Sequence, residues 1–390
     1  MGGPKVFFFT EHYPPKIGGS SKYATRISTE LARMGAELFL VTYDYGKLAR
    51  SLAPGLHEFR IKVPPFLRKE RFFPVLALPA TLHLLRTVQP NLIHVGYGFF
   101  GILLGSFIGK LRQIPVVFTV NNMPRREMVT PFSVNSKILR NTHLWLTERL
   151  GTIAFSLVSD IIICPSIHTA KAVIAAGVPE ERIVVIAHGV DVVPRTRTKP
   201  RSNTGLRILS VGGIAPHKAQ SILLQALPTV LERFPTTKTV LVGSVRDRAY
   251  WRMLRRFVQQ SGLDHHVEFL LNVNEDEKAE LYRDCNLYVQ PSLEEGYCLA
   301  VLEAMAAGCP VVGTSTGAIP EIISKSGAGI VVLPGSPSEL ARAIVELLSS
   351  ESRRIDMGRR GREYALKEAT WEQAAAKTLA VYMQCAAKVP

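Results

Sequence analysis

Pro291-Ser292-Leu293-Glu294-Glu295-Gly296-Tyr297-Cys298-Leu299-Ala300-Val301-Leu302-Glu303-Ala304-Met305-Ala306-Ala307-Gly308-Cys309-Pro310-Val311-Val312 is the stretch from which the fold can be read. It follows an apolar run at 287–290 that reads as a strand. A glycine-containing turn leads into a helix from about Leu299, and Gly308-Cys309-Pro310 stops that helix before the next strand. The first-turn amides near Cys298, Leu299 and Ala300 have no intrahelical acceptor, and with the helix dipole behind them they form an anion site. Glu295 lies on the loop before the helix and Glu303 about one turn into it, so both can face a ligand at the sheet edge. Carboxylates there repel phosphate and suit sugar hydroxyls. The alternative is a capping role for Glu295 and a solvated Glu303.

The same strand–helix alternation runs along the chain twice. Strands read at 5–10, 36–43, 92–95, 116–120, 161–164 and 183–187, then at 207–211, 239–242, 267–271, 287–290, 310–313 and 329–333. Helices read at about 20–34, 221–234 and 250–261. Such alternation implies parallel sheets covered on both faces. A length of 390 residues exceeds the roughly 250–300 at which a single core stops growing. Two doubly wound domains are expected, 1–194 and 206–369. The polar run 195–205 reads as their linker, and a C-terminal helix at about 370–386 returns to the first domain. Open sheets of this kind bind ligands at the carboxyl ends of their strands, and two of them in series enclose a cleft.

Hydrophobic residues make up 47% of the chain and charged residues 20%, which excludes intrinsic disorder as the main state. The five cysteines (Cys164, Cys285, Cys298, Cys309, Cys385) are scattered with no C-x-x-C pair. Neither a disulfide framework nor a zinc ribbon is expected, and a reducing compartment fits. The apolar run before Glu11 is too short for a signal peptide. Residues 92–109 carry no Lys, Arg, Asp or Glu, but their glycines and His94 argue for a buried strand–loop–helix and against a membrane span.

Net charge is +15 and it is asymmetric. Residues 1–200 hold 25 Lys and Arg against 12 Asp and Glu, whereas residues 201–390 hold 22 against 20. Something anionic should approach the first half. Within 60–73, five basic residues interleave with Phe66, Phe72 and Phe73, a composition that suits a membrane interface, a lipid-phosphate carrier or an acidic saccharide. The alternative is a solvated basic loop with its Phe residues packed inward. Nucleic-acid-binding motifs are missing, so no nucleic acid is expected.

The E-x7-E of Glu295 and Glu303, inside the quoted stretch, closely resembles the retaining family-4 glycosyltransferases of GT-B fold. The resemblance spans essentially the whole chain. It takes in Pro14-Pro15-x-x-Gly18-Gly19, Ala187-His188-Gly189-Val190-Asp191, Ser210-Val211-Gly212-Gly213 with Lys218, Gly317-Ala318-Ile319-Pro320-Glu321, and Trp371-Glu372. It implies two Rossmann-like domains, the C-terminal one holding a nucleotide-diphosphate sugar (UDP- or GDP-linked) and the N-terminal one a glycan or a lipid-phosphate-linked acceptor. It also implies that Glu303 binds ribose hydroxyls, that Glu295 contacts the donor sugar beside its anomeric carbon, and that Lys218 offsets diphosphate charge. Gly18 and Gly19 would bring backbone amides to phosphate, while Tyr297, Cys298 and Leu299 would line the donor loop. The resemblance also implies base contacts near Val273 and a site-lining place for His188, which follows a strand.

Two positions depart from the family pattern. Gly213 stands where members usually carry Arg. Asn121 stands where they commonly carry His; it can position a hydroxyl but cannot titrate. No D-x-D occurs, and Glu275-Asp276-Glu277 after Asn274 read as the first turn of a capped helix, so a metal cofactor is not expected. The implied activity is metal-independent transfer of a hexose-type sugar, in the cytoplasm and peripherally on the inner face of the membrane. A weakened nucleotide-sugar-binding partner subunit and a same-fold sugar-nucleotide epimerase are the other readings.

Overall fold

A computed structural model of the chain describes residues 3–15, 18–44, 46, 53–64, 66, 72–97, 99–121, 159–191 and 205–387. Of the expected linker 195–205, all but Gly205 lies outside the described residues, as do positions 65 and 67–71 of the basic segment. The chain divides into two compact units, Met1–Gly189 with Trp371–Pro390, and Val190–Thr370.

The first unit holds a parallel sheet of β1 (Lys5–Thr10), β2 (Glu37–Tyr43), β3 (Leu56–Ile61), β4 (Leu92–Tyr97), β5 (Val116–Thr119), β6 (Ile161–Cys164) and β7 (Ile183–Val185). Their order is β3-β2-β1-β4-β5-β6-β7. β1 and β2 are almost continuously apolar because helices cover both faces of the sheet. Phe7 is fully buried and meets Phe9 and Phe39 edge-on, with ring centroids 6.4 and 6.1 Å apart. The sequence pattern missed β3. Its residues mix apolar with polar because, among the described strands, it pairs only with β2 at the sheet edge and is half-buried along most of its length. The uncharged run 92–109 is β4 followed by the helix Phe99–Arg112, and no helix among the described residues is long and apolar enough to cross a membrane.

The helix Trp371–Ala386 packs along Gly19–Arg33 and closes this unit with a buried polar network. The Tyr382 hydroxyl meets Nδ1 of His94. Nε2 of His94 meets Thr119 Oγ1 at 2.8 Å, and Thr119 Oγ1 meets the Tyr23 hydroxyl at 3.0 Å. The His188 ring lies 4.5 Å from that of Tyr23 and stacks on Trp371 at 6.4 Å. Burial penalises the charged imidazolium and pushes both His94 and His188 down to about 3.

The second unit holds β8 (Arg207–Val211), β9 (Lys238–Val242), β10 (Val267–Leu270), β11 (Leu287–Gln290), β12 (Val311–Thr314) and β13 (Gly329–Val332), all parallel, in the order β10-β9-β8-β11-β12-β13. The chain moves outward from β8 to β10, then crosses to β11 and moves outward the other way. The carboxyl ends of β8 and β11 therefore flank a topological switch point, as do those of β1 and β4 in the other sheet, and ligands of open α/β sheets bind at such points.

One expectation is corrected. Cys285 and Cys309 are joined as a disulfide, with Cα atoms 6.7 Å apart. Each precedes its strand by two residues, Cys285 before β11 and Cys309 before β12, and these strands are parallel neighbours. Register brings the two thiols together across 24 residues, a separation that carries no pairing signal in sequence. Cys164, Cys298 and Cys385 are not disulfide-bonded.

Candidate active site

β11 ends in Gln290, which is buried, and the chain then turns through Pro291–Cys298 before the helix Leu299–Ala306. Three donors converge on one carboxylate oxygen in that turn. Glu295 Oε1 accepts from Lys218 Nζ at 2.7 Å, Ser292 Oγ at 2.7 Å and Gln290 Nε2 at 3.0 Å. Gln290 Nε2 also donates to Ser292 Oγ at 2.8 Å, while the Tyr288 hydroxyl donates to Gln290 Oε1 and so orients the amide. Thr314 Oγ1 donates to Ser292 O at 2.6 Å, tying the turn to β12. The Glu295 side chain is only 4% exposed. Burying a carboxylate is costly unless it is paired and hydrogen-bonded, and this one is both.

Lys218 comes from the opposite side of the switch point, at the end of the short helical turn Pro216–Lys218 after β8. Burial works against its charge, but the Glu295 carboxylate outweighs burial and holds the ammonium above its usual range. The Cys298 thiol is pushed well above its usual range by burial first and by the Glu295 charge second, with Lys218 opposing. It stays protonated and is no nucleophile. Cys298 has φ 66°, the left-handed region, and offers no side-chain cap to the helix that follows. The first-turn amides, beginning with that of Leu299, therefore open toward the switch point. Glu295 serves the ion pair and does not cap this helix.

The turn is braced from behind. Gly317 has φ +56°, and a Cβ there would collide with the carbonyls of Glu295 and Gly296; the Ala318 amide donates to Gly296 O at 3.0 Å. Tyr297 is buried, and burial raises its phenol. One turn into the helix, Glu303 accepts from the Tyr282 hydroxyl at 3.0 Å and faces Lys278 Nζ at 3.4 Å. Val273 is half-buried in the loop after β10. Beside it Asn274 caps the helix Glu275–Asp284, accepting from Glu277 N at 2.9 Å while Glu277 Oε2 accepts from Asn274 N at 2.9 Å. Gly213 follows β8, and its carbonyl accepts from Gln220 Nε2 at 3.1 Å.

In the first unit, Gly18 (φ +157°) precedes the helix Gly19–Arg33, which has no side-chain cap and no acidic residue in its first turn. Among the described residues no atom lies within 4 Å of where a Gly18 Cβ would stand, so the backbone there is open to approach. Asn121, two residues past β5, donates from Nδ2 to Gly96 O at 2.8 Å. Its Oδ1 is buried and has no hydrogen-bond partner among the described residues. His188 is buried against Tyr23 and Trp371, held neutral and turned into this unit's own core. Of the basic segment, Arg60 donates to Glu58 Oε2 at 2.7 and 3.0 Å and to Pro14 O at 3.4 Å, Phe73 is fully buried, and Phe66 is exposed.

Residues 17–193 match the family model described as Glycosyltransferase Family 4, and residues 194–364 match that of glycosyl transferases group 1. The chain is a family-4 glycosyltransferase. It is 26% identical over 397 residues to the D-inositol 3-phosphate glycosyltransferase of Corynebacterium efficiens, covering 94% of this chain and 90% of that one. It is 28% identical over 236 residues to a GDP-mannose-dependent alpha-(1-6)-phosphatidylinositol monomannoside mannosyltransferase of Mycobacterium tuberculosis, covering 56% of this chain and 60% of the relative. The sucrose-phosphate synthase of Thermosynechococcus elongatus superposes with a TM-score of 0.82 at 21% identity, over 98% and 99% of the two chains, so the glycosyltransferase has the GT-B fold.

Around the glycosyltransferase's Glu295, sequence reasoning named Lys218 but not Gln290 or Ser292. Ser292 stood in the quoted stretch without a role. A glutamine closing an otherwise apolar strand at a sheet's carboxyl edge was the available signal for Gln290. Tyr282 and Lys278, which hold Glu303, lie on another helix and left no local signal.

Proposed function

We propose that this glycosyltransferase moves a hexose-type sugar, with retention at the anomeric carbon and without a metal, from a UDP- or GDP-sugar to an anionic acceptor at a membrane. The observation that carries the reading is the Glu295 carboxylate, buried, paired with Lys218 and set at the mouth of an uncapped helix. In this reading the helix amides and Lys218 stabilise the departing diphosphate, which is the main protein contribution. Glu295 stands beside the anomeric carbon, and Glu303 takes the ribose hydroxyls. Asn121, its amide nitrogen committed to Gly96, offers Oδ1 to a sugar hydroxyl. The relatives named for inositol phosphate and phosphatidylinositol mannoside support an anionic acceptor. The excess positive charge of residues 1–200 supports the same choice.

The test is the stereochemistry of the product. Incubation with UDP- and GDP-hexoses and phosphorylated inositol or phosphatidylinositol acceptors, in excess EDTA, yields a glycoside whose anomeric coupling in NMR matches that of the donor. An inverted product removes retention. Loss of turnover in EDTA, restored by a divalent cation, removes metal independence.

Membrane attachment rests on a second feature. Along one face of the helix Phe99–Arg112, Leu103, Phe107 and Leu111 are 43, 60 and 61% exposed, at four-residue spacing, with Lys110 beside them. Apolar side chains flanked by lysine suit the interface of an anionic bilayer. Phe107→Glu is expected to abolish co-sedimentation with phosphatidylglycerol vesicles at low salt while leaving the melting temperature within a few degrees. Undiminished sedimentation of that variant removes this helix as the attachment face.

A further inference from the structure

Two consecutive glycines, Gly212 and Gly213, follow β8 at the switch point, and each is overlain by a cationic side chain. A Cβ on Gly212 would stand 3.8 Å from Lys218 Cδ. One on Gly213 would stand 3.0 Å from Arg246 Cγ and 3.6 Å from Arg246 Nε. The Arg246 side chain thus occupies the space that a side chain at 213 would take.

Its backbone is held there by the pairing of two loops. The Gly212 amide donates to Val242 O at 2.8 Å and the Ile214 amide to Ser244 O at 2.9 Å. The amides of Arg246 and Asp247 both return to Ile214 O, at 3.0 and 3.1 Å. Gly243 lies so close to Gly212 that a Cβ there would collide with its carbonyl. Asp247 then caps the helix Arg248–Gln260, accepting from Tyr250 N at 2.8 Å. Arg246 therefore sits on a segment tied to the β8 loop on one side and to a helix start on the other.

Charge supplies the reason to look for a second cation. Lys218 is the cation nearest Glu295, and its charge is already met by that carboxylate at 2.7 Å. A diphosphate ester brings two further negative charges to the same place, and the helix dipole offsets only about half of one. We propose that Arg246 is a phosphate-binding residue of the donor site, supplying from the β9 loop the positive charge that Gly213 cannot carry. This assignment rests on the proposed nucleotide-diphosphate donor. Guanidinium suits the role because it stays charged at every working pH and can span two phosphate oxygens.

The experiment compares calorimetric affinities of UDP and GDP with those of uridine and guanosine for the wild type, Arg246→Gln, Arg246→Lys and the double variant Gly213→Arg/Arg246→Ala. Arg246→Gln is expected to weaken binding of the preferred diphosphate about tenfold while leaving its nucleoside unchanged, because it removes a charge-assisted hydrogen bond that only the diphosphate can accept. Arg246→Lys retains most of the affinity. In the double variant the shortened residue 246 leaves room for an arginine at 213, and diphosphate affinity returns to within a few fold of wild type. An unchanged preference for diphosphate over nucleoside in Arg246→Gln, with an unchanged melting temperature, overturns the assignment. If the wild type binds neither diphosphate, the donor reading itself falls and the assignment falls with it.

Discussion

Glu295→Gln lowers kcat about a thousandfold while changing donor affinity far less. The size is that of removing one preorganised electrostatic group from a water-poor site. Glutamine keeps the shape of the side chain and still accepts from Ser292, so the turn survives. What disappears is the negative charge that the proposed reading sets beside the reacting carbon, and with it the partner that holds Lys218 at 2.7 Å. Steady-state kinetics with the identified donor and acceptor check this, with circular dichroism as the folding control. Turnover within tenfold of wild type would remove Glu295 from the chemistry and favour a scaffold built on the same fold. A partner subunit without activity of its own would respond to the substitution only through nucleotide binding, so kcat and affinity separate the two readings.

Acid destabilises the first unit by about 4 kcal/mol between pH 7.5 and pH 5. His94 and His188 are both fully buried and held neutral, their proton affinity pushed down to about 3 from the usual 6.5. Below pH 6.5 the unfolded chain binds protons that the folded unit refuses. Stability is therefore complete above 6.5 and is lost as pH falls from there toward 3. At pH 5 each histidine is 1.5 units below its unfolded midpoint, or about 2 kcal/mol at 1.36 kcal/mol per unit. Urea unfolding followed by tryptophan fluorescence measures it, since Trp371 stacks on His188. His188→Gln is expected to remove roughly half of the pH dependence, because glutamine does not titrate. Equal unfolding midpoints at pH 5 and 7.5 would mean that both rings accept a proton inside the folded unit.

Both histidines also show where sequence reading reaches and where it stops. The fold was legible because parallel strands buried on both faces are short apolar runs, and the strands at 5–10, 161–164, 207–211 and 287–290 appear with those bounds. β3 was not legible: Leu56-His57-Glu58-Phe59-Arg60-Ile61 is a half-solvated edge, and its mixture of apolar and polar residues shows neither a continuous apolar run nor a clean period of two. The quoted stretch located Glu295 and the helix start, since both lie within one strand–loop–helix unit. His188 follows a strand, and its neighbourhood in sequence tells nothing more. Its burial depends on Trp371, which lies 183 positions further on and comes to it only through the return of the last helix. Gln290 and Ser292 required three-dimensional geometry, as did the Cys285–Cys309 bridge, because each depends on which strands become neighbours.

That returning helix makes the two halves of the molecule unequal as genetic objects. Val190–Thr370 is one uninterrupted stretch lodged between Gly189 and Trp371. A clone of that stretch keeps every strand of the second sheet together with Lys218, Arg246, Glu295 and Glu303. A clone stopped at Gly189 does not leave a smaller version of the first unit. It strips Trp371 from His188 and Tyr382 from His94, opening the polar interior to water. Truncation after Gly189 thus breaks the first unit, which stays whole only if Gly189 is joined to Trp371 through a designed connector, whereas Val190–Thr370 is contiguous as it stands.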